Sequence, residues 1–346
     1  MTGPYGLARA ELAELLADQP SYRVAQVWDG LHHQLRRPAD MTNLPSALRA
    51  RLEAEPRLAP ALSEVSRRQA DAGETVKWLW RLTDGTAVET VLMRYARRTT
   101  VCVSTQAGCA MACSFCATGQ AGFSRHLEAG EIVEQVVAAM REAAPERISN
   151  VVFMGMGEPL ANYDRVWAAV TSLHGDFGIS ARHLTLSTVG LVPGIRRLAA
   201  EGLRVNLAVS LHAANDRLRD ELVPINRRWP LTELADACRG YVSATRRRLS
   251  FEWALIDGVN DRPQDATELA AFVQPLGGHV NLIPLNPTPG FTTRGSPAPA
   301  VRRFRTLLAD LGTNATIRQN RGSDIDAACG QLAAGRHPGS IPAVPH

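Results

Sequence analysis

The chain has 346 residues, 45% hydrophobic and 21% charged, a balance that excludes a disordered or fibrous protein and supplies enough apolar side chains for a sizeable core. No apolar run approaches the roughly 18 residues a membrane span needs, and Met1 to Pro20 alternates apolar and charged residues without a signal-like stretch, so a soluble cytoplasmic protein is expected. A net charge of +4 is too small to demand a polyanionic partner by itself.

In chain order, apolar residues at three-to-four spacing predict helices over 8–16, 24–35, 44–55 and 60–70, punctuated by Pro20, Pro38 and Pro56. Strand-like runs at 75–82 and 87–95 flank Asp84-Gly85, a hairpin turn signal. From residue 99, short β-like runs at 99–105, 150–154, 183–187, 205–210, 249–255 and 279–284 alternate with helical stretches at 129–142, 163–174, 192–201, 232–243 and 264–273, and a last helix lies near 300–311. Strand, helix, strand, helix predicts a parallel sheet. The expected organisation is a helical accessory domain over 1–74, a β-hairpin linker over 75–98, a barrel core over 99–335 and a tail over 336–346.

Polar or special residues gather where the predicted strands end: the cysteine loop, Gly157-Glu158-Pro159, Ser187, Ser210 with His212, and Asn286. In a parallel barrel these ends share one rim, which is where a site forms. An open doubly wound sheet is the alternative, because strand order cannot be read from sequence.

Four of the six cysteines, Cys102, Cys109, Cys113 and Cys116, lie within fifteen positions, while Cys238 and Cys329 stand alone. In a chain this long without a secretory signal, such a cluster points to metal or redox chemistry rather than a disulfide framework. Cys109-x3-Cys113-x2-Cys116 offers three thiolates, which suit an iron–sulfur cube with one iron left open. Zinc is the competitor; it wants four ligands, with Cys102 or His126 as candidates for the fourth.

With Phe115 before the third cysteine, this triplet resembles the signature of the radical S-adenosylmethionine (SAM) superfamily. Flanking text is similar to the RlmN and Cfr family of RNA adenine methyltransferases: Ser104-Thr105-Gln106-Ala107-Gly108, Ala117-Thr118-Gly119, the run 154–160 from Met154 to Leu160, Ser187-Thr188-Val189-Gly190, Ser210-Leu211-His212 and the run 281–287. So are Arg321-Gly322-Ser323-Asp324-Ile325, the run 328–332 around Cys329, and Met41-Thr42-Asn43-Leu44 with Ala47-Leu48-Arg49. Residues 104–108 and the appendage resemble the RlmN branch more than the Cfr branch.

The resemblance implies an α/β protein with a partial (β/α)6 TIM-like radical SAM barrel and an N-terminal helical, RNA-binding accessory domain. It implies one 4Fe–4S cluster on Cys109, Cys113 and Cys116, and SAM as methyl donor and radical source, contacted by Gly157, Glu158, Ser187, Ser210, Leu211, His212 and Asn286. The implied reaction methylates adenine C2 in the peptidyl-transferase loop of 23S rRNA and in tRNA anticodon loops, with Cys329 carrying the methyl group. Cys102 would take the C2 proton and close a disulfide with Cys329, and Glu89 matches an acidic position proposed as a proton acceptor. Partners would be those RNAs and an external electron donor, with no membrane, for a monomer. The alternatives are methylation at C8, and a non-catalytic RNA-binding protein with a zinc cluster.

Other residues read plainly from the sequence. Cys238 shares a helical face with Leu231, Leu234 and Val242, which predicts packing. Lys77 is the only lysine, and the remaining basic residues are arginine. Runs such as Arg246-Arg247-Arg248, and Arg318 with Arg321, can meet phosphates, although charge runs usually form solvated faces.

Overall fold

The computed structural model describes residues 3–288, 290–318 and 321–332. Three helices open the chain: α1 (Arg9–Leu15), α2 (Tyr22–His32) and α3 (Ser46–Glu53). Strands β1 (Leu62–Ala70), β2 (Thr75–Leu82), β3 (Ala87–Tyr95) and β4 (Arg98–Cys102) follow as an antiparallel meander. A two-stranded hairpin, β5 (Gln106–Gly108) with β6 (Phe123–His126), brackets the short helix α4 (Ala117–Ala121).

The β/α repeat then runs α5 (Ala129–Ala143), β7 (Asn150–Phe153), α6 (Tyr163–Gly175), β8 (Leu184–Thr188), α7 (Val192–Ala199) and β9 (Asn206–Ser210). It continues with α8 (Asp216–Leu222), α9 (Leu231–Thr245), β10 (Leu249–Leu255), α10 (Pro263–Val273), β11 (His279–Pro284), α11 (Ala298–Asp310) and β12 (Ala315–Ile317). Strand order in the main sheet is β1-β2-β3-β4-β7-β8-β9-β10-β11-β12 among the described residues, parallel from β4 onward. Sequential parallel order with intervening helices is a partial TIM-like barrel, which sets aside the doubly wound alternative.

Each predicted barrel strand corresponds to an observed one. A seventh parallel strand, β12, went unpredicted because a three-residue run carries no periodicity. The expected helix over 60–70 is instead strand β1. It is an edge strand with most side chains exposed, so no alternation marks it, and a bulge between Glu64 and Ser66 leaves Leu62 and Val65 at a helix-like spacing. Through β1 the sheet runs unbroken across residues 74 and 98. The predicted tail over 336–346 lies outside the described residues.

The core lies between the sheet and its helices. Helix α5 starts with a capping interaction, Glu128 N donating to Glu131 Oε2 at 2.8 Å, and buries Ile132, Val133, Val136 and Val137 on its sheet-facing side. Cys238 is fully buried on α9 beside Leu234 and Tyr241, as its helical spacing predicts. Among the described residues no helix is long and apolar enough to cross a membrane.

Candidate active site

The carboxyl ends of the parallel strands open onto one cavity, as the barrel geometry requires. Strand β4 delivers Cys102, whose register neighbours are Val91 on β3 and Val152 on β7. The chain then turns inward through Ser104, whose Oγ donates to Glu89 O at 2.6 Å and whose N donates to Gln135 Oε1 at 2.8 Å. Gln106 Oε1 accepts from Glu158 N at 2.7 Å, so the loop after β4 braces the turn after β7. Gly157 sits there at φ 101°, and a Cβ would lie 2.5 Å from Gln106 Cβ; only glycine fits.

Cys109, Cys113 and Cys116 line this cavity from the loop between β5 and α4. The loop is held by its own turn: Cys109 N donates to Gly122 O at 2.7 Å, Cys116 N to Cys113 O at 3.2 Å, and Gln120 Nε2 to Ser114 O at 2.8 Å. Burial pushes the Cys109 thiol up to about 12 and the Cys113 thiol well above its ordinary value. Thiols so placed become thiolates only beside a strong positive charge, which iron supplies. Among the described residues no three His, Cys, Asp or Glu side chains converge as ligands of a single ion would. Three sulfurs spread around a cavity suit a cube, whose irons are themselves spread, whereas His126, once a candidate fourth zinc ligand, bonds Gln106 at 3.0 Å and is not among the lining residues.

The opposite wall carries Glu158, Ser187, Ser210, His212, Glu252 and Asn286. Glu158 is buried and accepts from Val189 N at 2.8 Å and Leu160 N at 3.0 Å; burial still pushes its carboxyl up to about 7. An ammonium group arriving beside it would restore the anion. His212, at φ 59°, accepts from Ala254 N through Nδ1 at 2.9 Å, and burial followed by Arg219 lowers it to about 3, so it stays neutral and is no general base. The Phe115 ring meets the His212 ring edge-on at 4.7 Å, joining the cysteine loop to this wall. Leu211 is fully buried and is not among the lining residues; its N donates to Glu252 O at 3.0 Å.

Cys102 and Cys329, 227 positions apart in sequence, line the same cavity. All six cysteines are free thiols, so the implied Cys102–Cys329 disulfide is not formed. Burial first, and then the neighbouring Cys329, pushes Cys102 up to about 12, while Arg318 opposes the shift. Cys329 is raised by burial and pulled back by the same guanidinium. Cys329 is accessible by surface area yet stands in the cavity wall, open to whatever fills it. Glu89 is fully buried and does not line the cavity; it pairs with Lys77 at 3.0 Å, on the face of β3 that also carries the lining residues Met93 and Tyr95.

Sequence reasoning missed Glu252 and left Arg318 on a solvated face, although both line the cavity. A carboxylate inside Phe-Glu-Trp-Ala-Leu on a buried strand was the available signal for Glu252. Nothing local distinguishes Arg318.

Comparison with known proteins agrees with this architecture. The Radical SAM superfamily matches residues 103–270. A probable dual-specificity RNA methyltransferase RlmN from Chloroflexus aurantiacus is 51% identical, covering 98% of this chain and 93% of the relative. One of the same description from Mycobacterium tuberculosis is 52% identical, covering 91% and 89%. The crystal structure of a radical SAM methyltransferase from Sphaerobacter thermophilus superposes with a TM-score of 0.92 at 51% identity, covering 96% of this chain and 99% of that one. At this identity over nearly its whole length, the chain belongs to the RlmN family of radical SAM RNA methyltransferases, and membership of the radical SAM superfamily implies a 4Fe–4S cluster and SAM.

Proposed function

We propose that this enzyme methylates C2 of adenine in 23S rRNA and in tRNA anticodon loops, through a methyl group carried on Cys329. What supports the reading is one observation: two thiols outside the triplet, Cys102 and Cys329, line the cavity that also holds the triplet. Adenine C2 is an electron-poor ring carbon with no lone pair, so direct polar methyl transfer to it fails. Bound at the triplet and the opposite wall, the cluster and SAM supply a methyl group and a 5′-deoxyadenosyl radical, chemistry that side chains lack.

The chain's own residues do the rest. Cys109, Cys113 and Cys116 hold the cluster. Glu158 and the Gly157 turn receive the amino end of SAM, while Ser187, Ser210, His212 and Asn286 orient the remainder, and Leu211, buried behind the wall, fixes the turn between Ser210 and His212. Cys329 accepts a methyl group as a thiolate, and a sulfonium brought beside it lowers its raised pKa. The methyl carbon, after losing a hydrogen atom to the 5′-deoxyadenosyl radical, joins C2. The adduct gives its C2 proton to Cys102 and one electron to an acceptor, a role the bound cluster would supply. The Cys102 thiolate then attacks the Cys329 sulfur, so that a disulfide forms as the S–CH2 bond breaks and the departing carbon takes up a proton as the methyl group of the freed RNA. Glu89, expected from the resemblance as a proton acceptor, is buried outside the cavity and paired with Lys77, so its place is that of a counter-ion. An RNA methyltransferase family leaves no place for the non-catalytic zinc alternative.

The test is nucleoside mass analysis of 23S rRNA and tRNA from cells with and without this protein. 2-Methyladenosine in both RNAs is expected. 8-Methyladenosine would overturn the regiochemistry, and 2-methyladenosine in 23S rRNA but not in tRNA would confine the enzyme to ribosomal RNA.

A further inference from the structure

Lys77, the only lysine of the chain, is 3% exposed. A buried ammonium carries a desolvation cost of several kcal/mol that only close acceptors offset. Its Nζ lies 3.0 Å from Glu89 Oε1 and donates to Asp326 O at 3.1 Å. The second contact spans 249 positions and lands three residues before Cys329. The surroundings repeat the connection. Gly322 N donates to Asp71 Oδ2 at 3.1 Å, and the Arg321 guanidinium lies 3.9 Å from the same carboxylate. Gly322, at φ 64°, comes so near β2 that a Cβ would lie 2.9 Å from Thr75 Cγ2.

The geometry points to Lys77 as a positioning residue: its ammonium ties β2 to the backbone of the Cys329 loop and sets where that sulfur stands in the cavity, with Glu89 as its counter-ion. The inference rests on reading Cys329 as the methyl carrier. An ammonium is a compact point charge with three donors, able to serve a carboxylate and a carbonyl together, whereas a planar guanidinium needs a wider space. Every other basic side chain except histidine is arginine, so the slender cation occurs only where two strands and a loop close around it.

Removing Lys77 alone would take this cation from the buried Glu89 carboxylate, so the comparison is made in a Glu89→Gln background, with and without Lys77→Met, in the reconstituted holoenzyme. Two quantities are read: amide hydrogen exchange over 322–329, and the rate at which Cys329 gains a methyl group from SAM, measured by mass before any RNA is added. Adding Lys77→Met is expected to raise exchange about tenfold or more and to slow methylation at least about tenfold at unchanged KM for SAM. A purely structural role would lower iron content or SAM affinity instead. Equal exchange and equal methylation rates in the two variants overturn the inference. In the unaltered holoenzyme Lys77 is expected to resist acetylation that proceeds readily once the protein is denatured; acetylation of the folded holoenzyme at the denatured rate overturns the latch even where variants fail to fold. Wild-type enzyme that never acquires S-methyl-Cys329 would defeat the reading of Cys329 alone, since the exchange comparison still decides the latch.

Discussion

The cysteine loop at 109–116 and the Cys329 loop at 322–330 meet at one cavity but are held by different balances of local and distant bonds. The first takes most of its bonds from its own turn and flanking hairpin, such as Cys116 N to Cys113 O and Cys109 N to Gly122 O, with Ser114 N to Leu222 O at 3.2 Å and Thr288 Oγ1 to Phe115 O at 3.4 Å as its distant ties. The second adds to its own turn bonds, such as Ala327 N to Gly322 O at 2.8 Å, a larger set of distant ties: Lys77 and Asp71, Ala117 N to Gly330 O at 2.8 Å, and Asn286 Nδ2 to Cys329 O at 3.1 Å. A largely self-contained turn suits a cofactor that must not move. A loop suspended from several elements suits a sulfur that changes partners, since one tether can be released while the others keep register.

The largest effects separate the two loops. Cys113→Ala is expected to cut iron from about four per chain to near zero and bleach the brown protein, with all turnover lost. Cys329→Ala keeps the colour and iron but takes no methyl group and makes no product. Cys102→Ala still gains the methyl group on Cys329 and accumulates RNA covalently bound to protein, visible as a shifted band on a denaturing gel. Free methylated RNA from either thiol variant would break the division of labour between the loops.

Gly157 sharpens the contrast, because the rigid side of the cavity depends on it. Gly157→Ala forces a left-handed backbone on alanine and sets a Cβ against Gln106, so a loss of ~2–4 kcal/mol is expected. Chemical denaturation reads that loss, and SAM affinity falls with it. Wild-type stability in the variant would mean that the turn is soft.

What the sequence makes legible follows the same division. The triplet is readable because its chemistry lies in local spacing, and the barrel strands because each is a short apolar run between amphipathic helices. Strand β1 is hidden by its exposure and its bulge. The cavity neighbours of Cys329, Arg318 and Glu252 among them, are unreadable because residues on separate strands and loops share no common period. Only through the family resemblance do Cys102 and Cys329 become a pair in sequence; spacing offers no reason to join them.

A smaller, pH-dependent effect distinguishes the SAM wall. Burial raises the Glu158 carboxyl to about 7, above the ~4.3 of an unfolded glutamate. A raised folded-state pKa contributes stability that is complete below the unfolded value and lost as pH rises through the folded one. Ligand-free protein is therefore expected to lose up to ~3 kcal/mol between about pH 4.5 and 7 on account of Glu158. Glu134, also raised to about 7, adds to the same window. Glu158→Gln removes its part of the slope, and SAM binding near pH 6 releases a proton from the wild type, measured by calorimetry in buffers of different ionisation heat. Equal observed heats in those buffers, before any correction for buffer ionisation, would show that no ammonium meets this carboxylate.

The smallest expected effect tests one tether alone. Thr118 Oγ1 donates to Leu332 O at 2.6 Å, closing the far end of the Cys329 loop onto α4. The bond joins positions 214 residues apart, and Thr118 is 4% exposed, so Thr118→Val leaves the carbonyl without this donor in a place water hardly reaches. A loss of ~1–2 kcal/mol is expected. Iron content stays constant, because α4 and the cysteine loop keep their own bonds. The effect on catalysis discriminates further: a suspended loop with one tether gone should let Cys102 and Cys329 form their disulfide more slowly under mild oxidation, by a factor of about 2–10. A large loss of iron would instead show that the two loops are one rigid unit, and the contrast between them would fall.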